Sequence, residues 1–118
     1  MRLSLLAMAA AALLFSIGTA GATDTKLLAE TGGFLLGNAH RCGVPGERVV
    51  RAGKIVRDII AAAAQTPSEK ESADARFVEI FLSSAYPEDD QDPLTPACGV
   101  VVTQFERLEQ HHRQAGFD

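Results

Sequence analysis

Two cysteines and a nearby histidine are the residues of this chain with the most distinctive chemistry. The sequence contains only Cys42 and Cys98, and His40 stands two residues before the first of them. A thiolate next to an imidazole is a nucleophile, and cysteine with histidine is also a common metal-ligand pair. Two cysteines can equally form a structural disulfide. The three alternatives predict an enzyme, a metal site and a covalent cross-link.

The surrounding pattern favours the cross-link. Exported dithiol oxidoreductases use Cys-x-x-Cys, which this sequence lacks. Cys98 near a helix N-terminus would have a reactive thiol, but residues two apart on a helix diverge, so His40 is poorly placed to activate Cys42. Both cysteines lie on apolar helical stripes that must face one core. We therefore predict a Cys42–Cys98 disulfide. In the chain-entropy model such a bond raises the free energy of unfolding by roughly 4 kcal/mol.

Metal-binding patterns are present only in fragments. Glu109-x-x-His112, with His111 adjacent, matches one motif of the di-metal helical bundles. Those sites need two such motifs and two further glutamates. The acidic stretch Pro87–Pro93 lacks the glycine and the distal glutamate of an EF-hand loop. We therefore expect no metal, no cofactor and no catalytic residues.

The N-terminus has the layout of a secretory signal peptide. Met1-Arg2 is followed by a nearly continuous apolar run over 3–18 and then by Ala20-Gly21-Ala22, a small-residue cleavage pattern. We predict a signal peptide at 1–22 and one helical domain at 23–118. Cleavage after Ala20, an uncleaved anchor and a buried N-terminal helix are the alternatives. The run is shorter than a membrane-spanning helix, so we expect no stable span after cleavage.

Length and charge narrow the possible functions. The 118-residue chain has a net charge of −4, and loss of Arg2 would make it more negative. An acidic balance argues against nucleic acid and anionic lipid as main partners, and the absence of tryptophan argues against a stacking platform. An exported chain matures in an oxidising compartment, so we expect a periplasmic or secreted protein.

Prolines and glycines divide the chain into four helical segments. Each has an apolar stripe at helical spacing, and connections are short, which predicts an all-α, up-and-down four-helix bundle. Gly43 is expected to cap the first helix, and Thr66 with Glu69 to form a capping box at the start of the third. The β-branched run Val100–Val102 also fits a strand. The predicted segments are about 24–42, 45–64, 66–86 and 95–112.

Two further features have a functional and a purely structural interpretation. Gly33 and Gly37 share a face of the first helix, which indicates either close approach of another helix or a weak, bent helix. The second helix carries a row of basic residues that could dock an anionic partner or simply be solvated. These residues are Arg48, Arg51, Lys54 and Arg57.

In its layout the chain resembles the small acid-stress chaperones of the bacterial periplasm, which are exported, helical and cross-linked by one long-range disulfide. The resemblance is one of architecture, without matched motif residues. It implies apolar helix faces that open at low pH. We predict a small exported, non-enzymatic helical protein that binds a protein or a small ligand, with an acid-stress chaperone or a thiol or metal enzyme as alternatives.

Overall fold

A computed structural model describes residues 16–88 and 97–114, with side chains at 25–88 and 97–113. Within these ranges the chain forms four α-helices and no strand, so the predicted all-α bundle with its disulfide is confirmed. The helices are α1 (Ser16–Arg41), α2 (Gly46–Ala63), α3 (Pro67–Ala85) and α4 (Cys98–Gln114).

Helix boundaries agree with the predictions except at two helix starts. α1 begins at Ser16 rather than near residue 24, so the proposed cleavage pattern Ala20–Ala22 lies inside this helix; cleavage itself stays a prediction. α4 begins at Cys98, and the predicted Thr95-Pro96 start lies outside the described residues. Val100–Val102 is helical, since the apolar spacing of α4 prevails over the weak strand preference of valine.

The four helices form a diamond in cross-section. α1 and α2 lie in the middle, and each contacts both α3 and α4. Over residues 16–88 and 97–114, no Cα atoms of α3 and α4 come within 8 Å of each other. The outer helices are therefore held by the central pair rather than by each other.

Close contact between α1 and α3 depends on two glycines. A Cβ on Gly33 would lie 2.8 Å from the carbonyl oxygen of Phe77, and one on Gly37 would lie 2.8 Å from that of Phe81. Real Cβ atoms do not approach backbone atoms this closely, so only glycine fits at both positions. The close-approach interpretation of this glycine pair is confirmed.

The core is built from the predicted stripes of α2, α3 and α4. On α1 the apolar spacing predicts a stripe of Leu28, Leu35, Ala39 and Cys42. Ala39 is fully buried, but Leu28 and Leu35 are only partly buried, and their neighbours Ala29 and Leu36 are buried instead. The other helices pack against the glycine face of α1, so the residues beside the glycines are buried. The core residues are Ala29, Leu36, Ala39, Val44, Val49, Ala52, Val56, Ile60, Ala73, Phe77, Val101 and Phe105.

The turn after α1 is a Schellman cap. Gly43 has φ of +97°, the amide of Val44 donates to the carbonyl of Ala39, and the amide of Gly43 donates to that of His40. Glycine adopts this left-handed conformation at little cost, and the two bonds satisfy carbonyls at the helix end. The predicted Gly43 cap is confirmed.

Glu69 organises the start of α3. The Thr66 hydroxyl accepts a hydrogen bond from the Glu69 amide at 3.0 Å, as a helix N-cap does. The Glu69 carboxylate accepts from the Gln65 amide at 2.7 Å and from the buried Thr25 hydroxyl of α1 at 3.0 Å. The predicted capping pair is present, and it also joins α3 to α1.

An ion pair adds a second link between α1 and α3. The Arg76 guanidinium donates to Glu30 of α1 at 2.9 Å and to Glu79 of its own helix at 3.1 Å. Hydrogen bonds from Arg76 to Glu30 and then to Glu79 raise the arginine pKa above its ordinary value. Both contacts are partly exposed, so they stabilise the fold less than the buried apolar contacts do.

Candidate functional site

The two cysteines form the predicted disulfide. Cys42 follows the end of α1 and Cys98 begins α4, and their Cα atoms are 5.5 Å apart. Since these are the only cysteines of the chain, no thiol is available as a nucleophile while the bond is intact. The bond joins the central helix α1 directly to the outer helix α4.

His40 packs against aromatic side chains at the C-terminal end of α3. Its Nε2 atom lies 3.2 Å from the hydroxyl of Tyr86, and the two rings meet edge to face at 5.3 Å between centroids. The ring of Phe81 is 6.5 Å away. These contacts give His40 a structural partner at the junction of α1 and α3.

The metal-binding fragments do not come together in the described residues. Both carboxylate oxygens of Glu109 accept hydrogen bonds from the Arg48 guanidinium, at 2.7 and 3.2 Å. Over the described positions, no three histidine, cysteine or acidic side chains are grouped to hold a metal ion. Residues 89–93 of the acidic stretch lie outside the described residues.

The four basic residues predicted as a docking face are distributed around α2. They recur every three residues, and each step of three turns about 300° around a helix, so Arg48 and Arg57 lie on opposite sides. Arg48 faces α4, where it pairs with Glu109 and lies 5.3 Å from the ring centroid of Phe105. The hydrogen bond to Glu109 raises the Arg48 pKa. Arg57 faces α3 instead, and docking by this row remains a prediction.

Two clefts flank α2, and the first separates it from α4. This cleft has a volume of about 360 Å³ and is lined by charges of both signs. Lys54 and Asp58 form an exposed pair at 3.3 Å on one wall, opposite Glu109. Because acidic and basic groups alternate around it, the α2–α4 cleft does not select a ligand of one charge.

The second cleft, between α2 and α3, is apolar, and we call it the α2–α3 groove. Leu36 of α1, Gly53 of α2 and Phe77 of α3 meet in it, and the absent side chain of Gly53 leaves it open. Its volume of about 550 Å³ is typical of small-ligand sites. Its lining residues are Leu36, Val49, Val50, Gly53, Lys54, Arg57, Phe77, Val78, Phe81 and Leu82.

The edges of the α2–α3 groove expose large apolar side chains on both helices. Val50 of α2 is 73% exposed, and across the groove Val78 and Leu82 of α3 are 38% and 49% exposed. Single exposed apolar residues are common on protein surfaces, but a cluster around a concavity is typical of a binding site. The groove is therefore the strongest candidate site in the described part of the chain.

Two cations complete the lining of the groove. Lys54 and Arg57 lie three residues apart on α2, and the Arg57 guanidinium lies 5.8 Å from the ring centroid of Phe77. These are the only ionisable side chains among the described lining residues. The groove thus combines an apolar floor with a positive edge.

Our sequence predictions missed the groove, although the sequence contains a signal for it. Val50, Gly53 and Arg57 recur at i, i+3 and i+7, which is a second stripe beside the main apolar stripe of α2. Val78 and Leu82 form a similar extra pair at i, i+4 on α3. The available indication was therefore three apolar residues outside the core stripes, Val50 on α2 and the pair Val78 and Leu82 on α3.

No helix of the described part is both long and apolar enough to cross a membrane. Comparison of the chain with family models, with curated proteins and with solved structures found no match in any of the three. The function is therefore inferred from the residues and geometry of this chain.

Proposed function

We propose that this chain is an exported, non-enzymatic binding protein that holds an apolar ligand in the α2–α3 groove. The observation that carries the proposal is the apolar concavity itself. Its floor is formed by Leu36, Gly53 and Phe77, and exposed apolar side chains border it on both sides. Covering such a surface with a ligand removes apolar area from water, which is favourable.

The composition of the groove supports binding rather than catalysis. Catalysis by general acids and bases needs a titratable group near neutrality in contact with the substrate. Among the described residues, the groove is lined by no histidine, carboxylate or thiol, and its two ionisable groups are Lys54 and Arg57. The rigid walls formed by two helices suit a preformed site for a small ligand.

Export is the second part of the proposal, and it rests on the signal-like N-terminus and on the disulfide. Disulfides persist in oxidising compartments and are rare in the cytosol. Expression of the full chain followed by mass measurement of the exported fraction tests this part. We expect a loss of residues 1–22 and no free thiol; an intact N-terminus in the cytosolic fraction would contradict it.

Binding is tested with the neutral fluorescent probe N-phenyl-1-naphthylamine. We expect saturable binding to the wild-type protein. Gly53→Leu, which places a side chain beside Leu36 and Phe77, should weaken binding by about tenfold or more, a change of ~1.4 kcal/mol. Circular dichroism and the melting temperature establish that this variant is folded.

A second variant changes only the edges of the groove and leaves its floor intact. Val50→Ser with Leu82→Ser removes two exposed apolar side chains, so we expect weaker probe binding without loss of folding. Val100→Ser is the matched control, because Val100 is also exposed on a helix but does not line the groove. Absence of saturable wild-type binding, or equal binding by all variants, would overturn the proposal.

A second candidate function is the acid-stress chaperone, and two ion pairs favour it. Arg76–Glu30 joins α1 to α3, and Arg48–Glu109 joins α2 to α4. Protonation of glutamates in acid would remove both links, while the disulfide would limit the expansion of the chain. Such a state would expose the apolar faces of the outer helices.

The two functions make different predictions about pH. A chaperone of this kind should bind the probe much more strongly near pH 3 than near pH 7, and should then suppress aggregation of an unfolding client protein. A neutral-pH ligand-binding protein should bind the probe at pH 7 through the groove. Acid-induced probe binding without client protection would exclude the chaperone.

A further inference from the structure

We propose that the occupant of the α2–α3 groove is a single-chain amphiphile with a carboxylate head, such as a free fatty acid. This inference rests on the proposed function and adds the chemical class of the ligand. The apolar tail lies on the floor formed by Leu36, Gly53 and Phe77. The carboxylate lies at the edge, between Lys54 and Arg57.

The charge at the edge of the groove is opposite to that of the chain as a whole. The chain carries 15 acidic and 11 basic residues, yet the groove is bordered by two cations and, among the described lining residues, by no carboxylate. A cationic edge in contact with an apolar floor is complementary to a molecule with one negative end and one apolar end.

The guanidinium of Arg57 is available to a ligand, unlike those of Arg48 and Arg76. Arg48 and Arg76 each donate to carboxylates of neighbouring helices. Arg57 instead lies over the ring of Phe77, and no hydrogen bond or ion pair joins its guanidinium to another described residue. A guanidinium beside a ring and without polar partners keeps its N–H groups available to bind a carboxylate in a bidentate manner.

Lys54 can provide the second contact. Its Nζ atom lies 3.3 Å from Asp58 in a pair that is largely exposed on both sides. Exposed pairs of this kind contribute little to stability, so the ammonium can exchange Asp58 for a ligand at small cost. Lys54 and Arg57, three residues apart, project from neighbouring positions on the helix surface.

The dimensions of the groove suit a small molecule. The lining residues of α2 run from Val49 to Arg57, a distance of about 12 Å at 1.5 Å per residue. The volume of about 550 Å³ lies within the range of small-molecule sites. A partner protein would need a larger contact surface, of the order of 800 Å² on each side. The occupant is therefore a short chain with one charged end.

The experiment is displacement of the bound neutral probe at pH 7.5 by three molecules of equal tail length: decanoate, decanol and decyltrimethylammonium. We expect decanoate to displace the probe at about tenfold lower concentration than the cation, with decanol between them, a difference of ~1.4 kcal/mol between the end members. The difference in displacing concentration between decanoate and the cation should become smaller at high salt, because the charged contacts that discriminate between them are partly exposed.

Charge variants test whether the two cations at the edge of the groove cause the preference for decanoate. The double variant Lys54→Gln, Arg57→Gln should still bind the neutral probe but should no longer distinguish decanoate from decanol. Arg51→Gln is the matched control: it removes a cation from the same helix, outside the groove lining, and should retain the preference. Equal displacement by decanoate and decanol in the wild type, or a preference that survives the double variant, would overturn the inference.

The same assay distinguishes this inference from the alternative explanations. If the wild type fails to bind the probe at all, the proposed function itself fails. If the probe binds but decanoate, decanol and the cation displace it equally well, the proposed binding function is supported and the inference of a carboxylate ligand is wrong. If decanoate is without effect but vesicles containing phosphatidylglycerol displace the probe through Lys54 and Arg57, the surface binds membranes and the inference is wrong.

Discussion

Gly37 of α1 lies directly against Ser84 of α3, so closely that a Cβ on Gly37 would come within 2.5 Å of the Cβ of Ser84. Together with Gly33, this contact sets the distance between α1 and α3. The position of α3 in turn determines the wall of the groove that carries Phe77 and Leu82. A glycine pair that does not itself line the groove thus supports the geometry of the candidate site.

The first prediction concerns this contact. Gly37→Ala should lower the free energy of unfolding by about 1–3 kcal/mol, as overpacking does, although alanine is the better helix former. Urea denaturation measures the change. Gly53→Ala is the contrasting variant: its new Cβ would be 3.8 Å from Leu36 and Phe77, so we expect a gain of up to about 1 kcal/mol. Equal effects of the two variants would contradict the close approach.

The second prediction concerns the disulfide. Cys42→Ser should lower the free energy of unfolding by about 2–5 kcal/mol, because the bond closes a loop between residues 56 positions apart. Cys98→Ser and the double variant should cost about the same as the single variant, since each removes the same bond. Stoichiometric thiol labelling of native wild-type protein would show that the bond is not formed.

The third prediction concerns the start of α3. Thr66→Ala removes the hydroxyl that accepts from the Glu69 amide and should cost about 1 kcal/mol, whereas Thr66→Ser should retain most of the stability. Glu69→Ala loses the bonds from Gln65 and Thr25 and should be the more damaging change. In thermal melts, the melting temperature should fall from Thr66→Ser to Thr66→Ala and then to Glu69→Ala.

The fourth prediction concerns pH. The bonds to Glu109 and Glu30 raise the pKa values of Arg48 and Arg76, so the contribution of each arginine is complete below its ordinary pKa and is lost only in strong alkali. Any weakening of these pairs in acid therefore comes from loss of negative charge on the carboxylate partners. We expect these pairs to contribute equally to stability at about pH 7 and pH 9, and we expect stability to fall in acid.

Glu109→Gln tests the origin of that fall. The variant should be less stable than the wild type at pH 7, because its neutral amide pairs less well with Arg48. It should also show a smaller difference in urea midpoint between pH 7 and pH 3. Parallel pH profiles for the variant and the wild type would show that the Arg48–Glu109 pair does not contribute to the acid sensitivity.

The fold could be predicted from the sequence because its local signals agree with one another. Prolines and glycines mark the helix ends, and apolar spacing of three and four marks the inward faces of α2, α3 and α4. On α1 the same spacing correctly predicts Ala39, but it selects Leu28 and Leu35 where Ala29 and Leu36 are the buried residues. Glycine adds nothing to a hydrophobic stripe, yet the glycine face of α1 is the one that other helices approach most closely.

The candidate site was harder to predict than the fold. The basic row of α2 is visible in the sequence, but its division between α4 and α3 depends on where the neighbouring helices lie. Arg48 meets a carboxylate on a residue 61 positions away, whereas Arg57 meets the ring of Phe77. Which charged side chain is neutralised and which remains available is set by tertiary contacts rather than by local pattern.

The disulfide also defines a covalent ring. It joins the end of α1 to the start of α4, so α2, α3 and the whole wall of the groove that they form lie inside the ring. A protease that cuts the chain once anywhere between Gly43 and Ala97 leaves two fragments that remain one molecule until the bond is reduced. In a compartment rich in proteases, α2 and α3 can therefore be nicked without being separated from the rest of the protein.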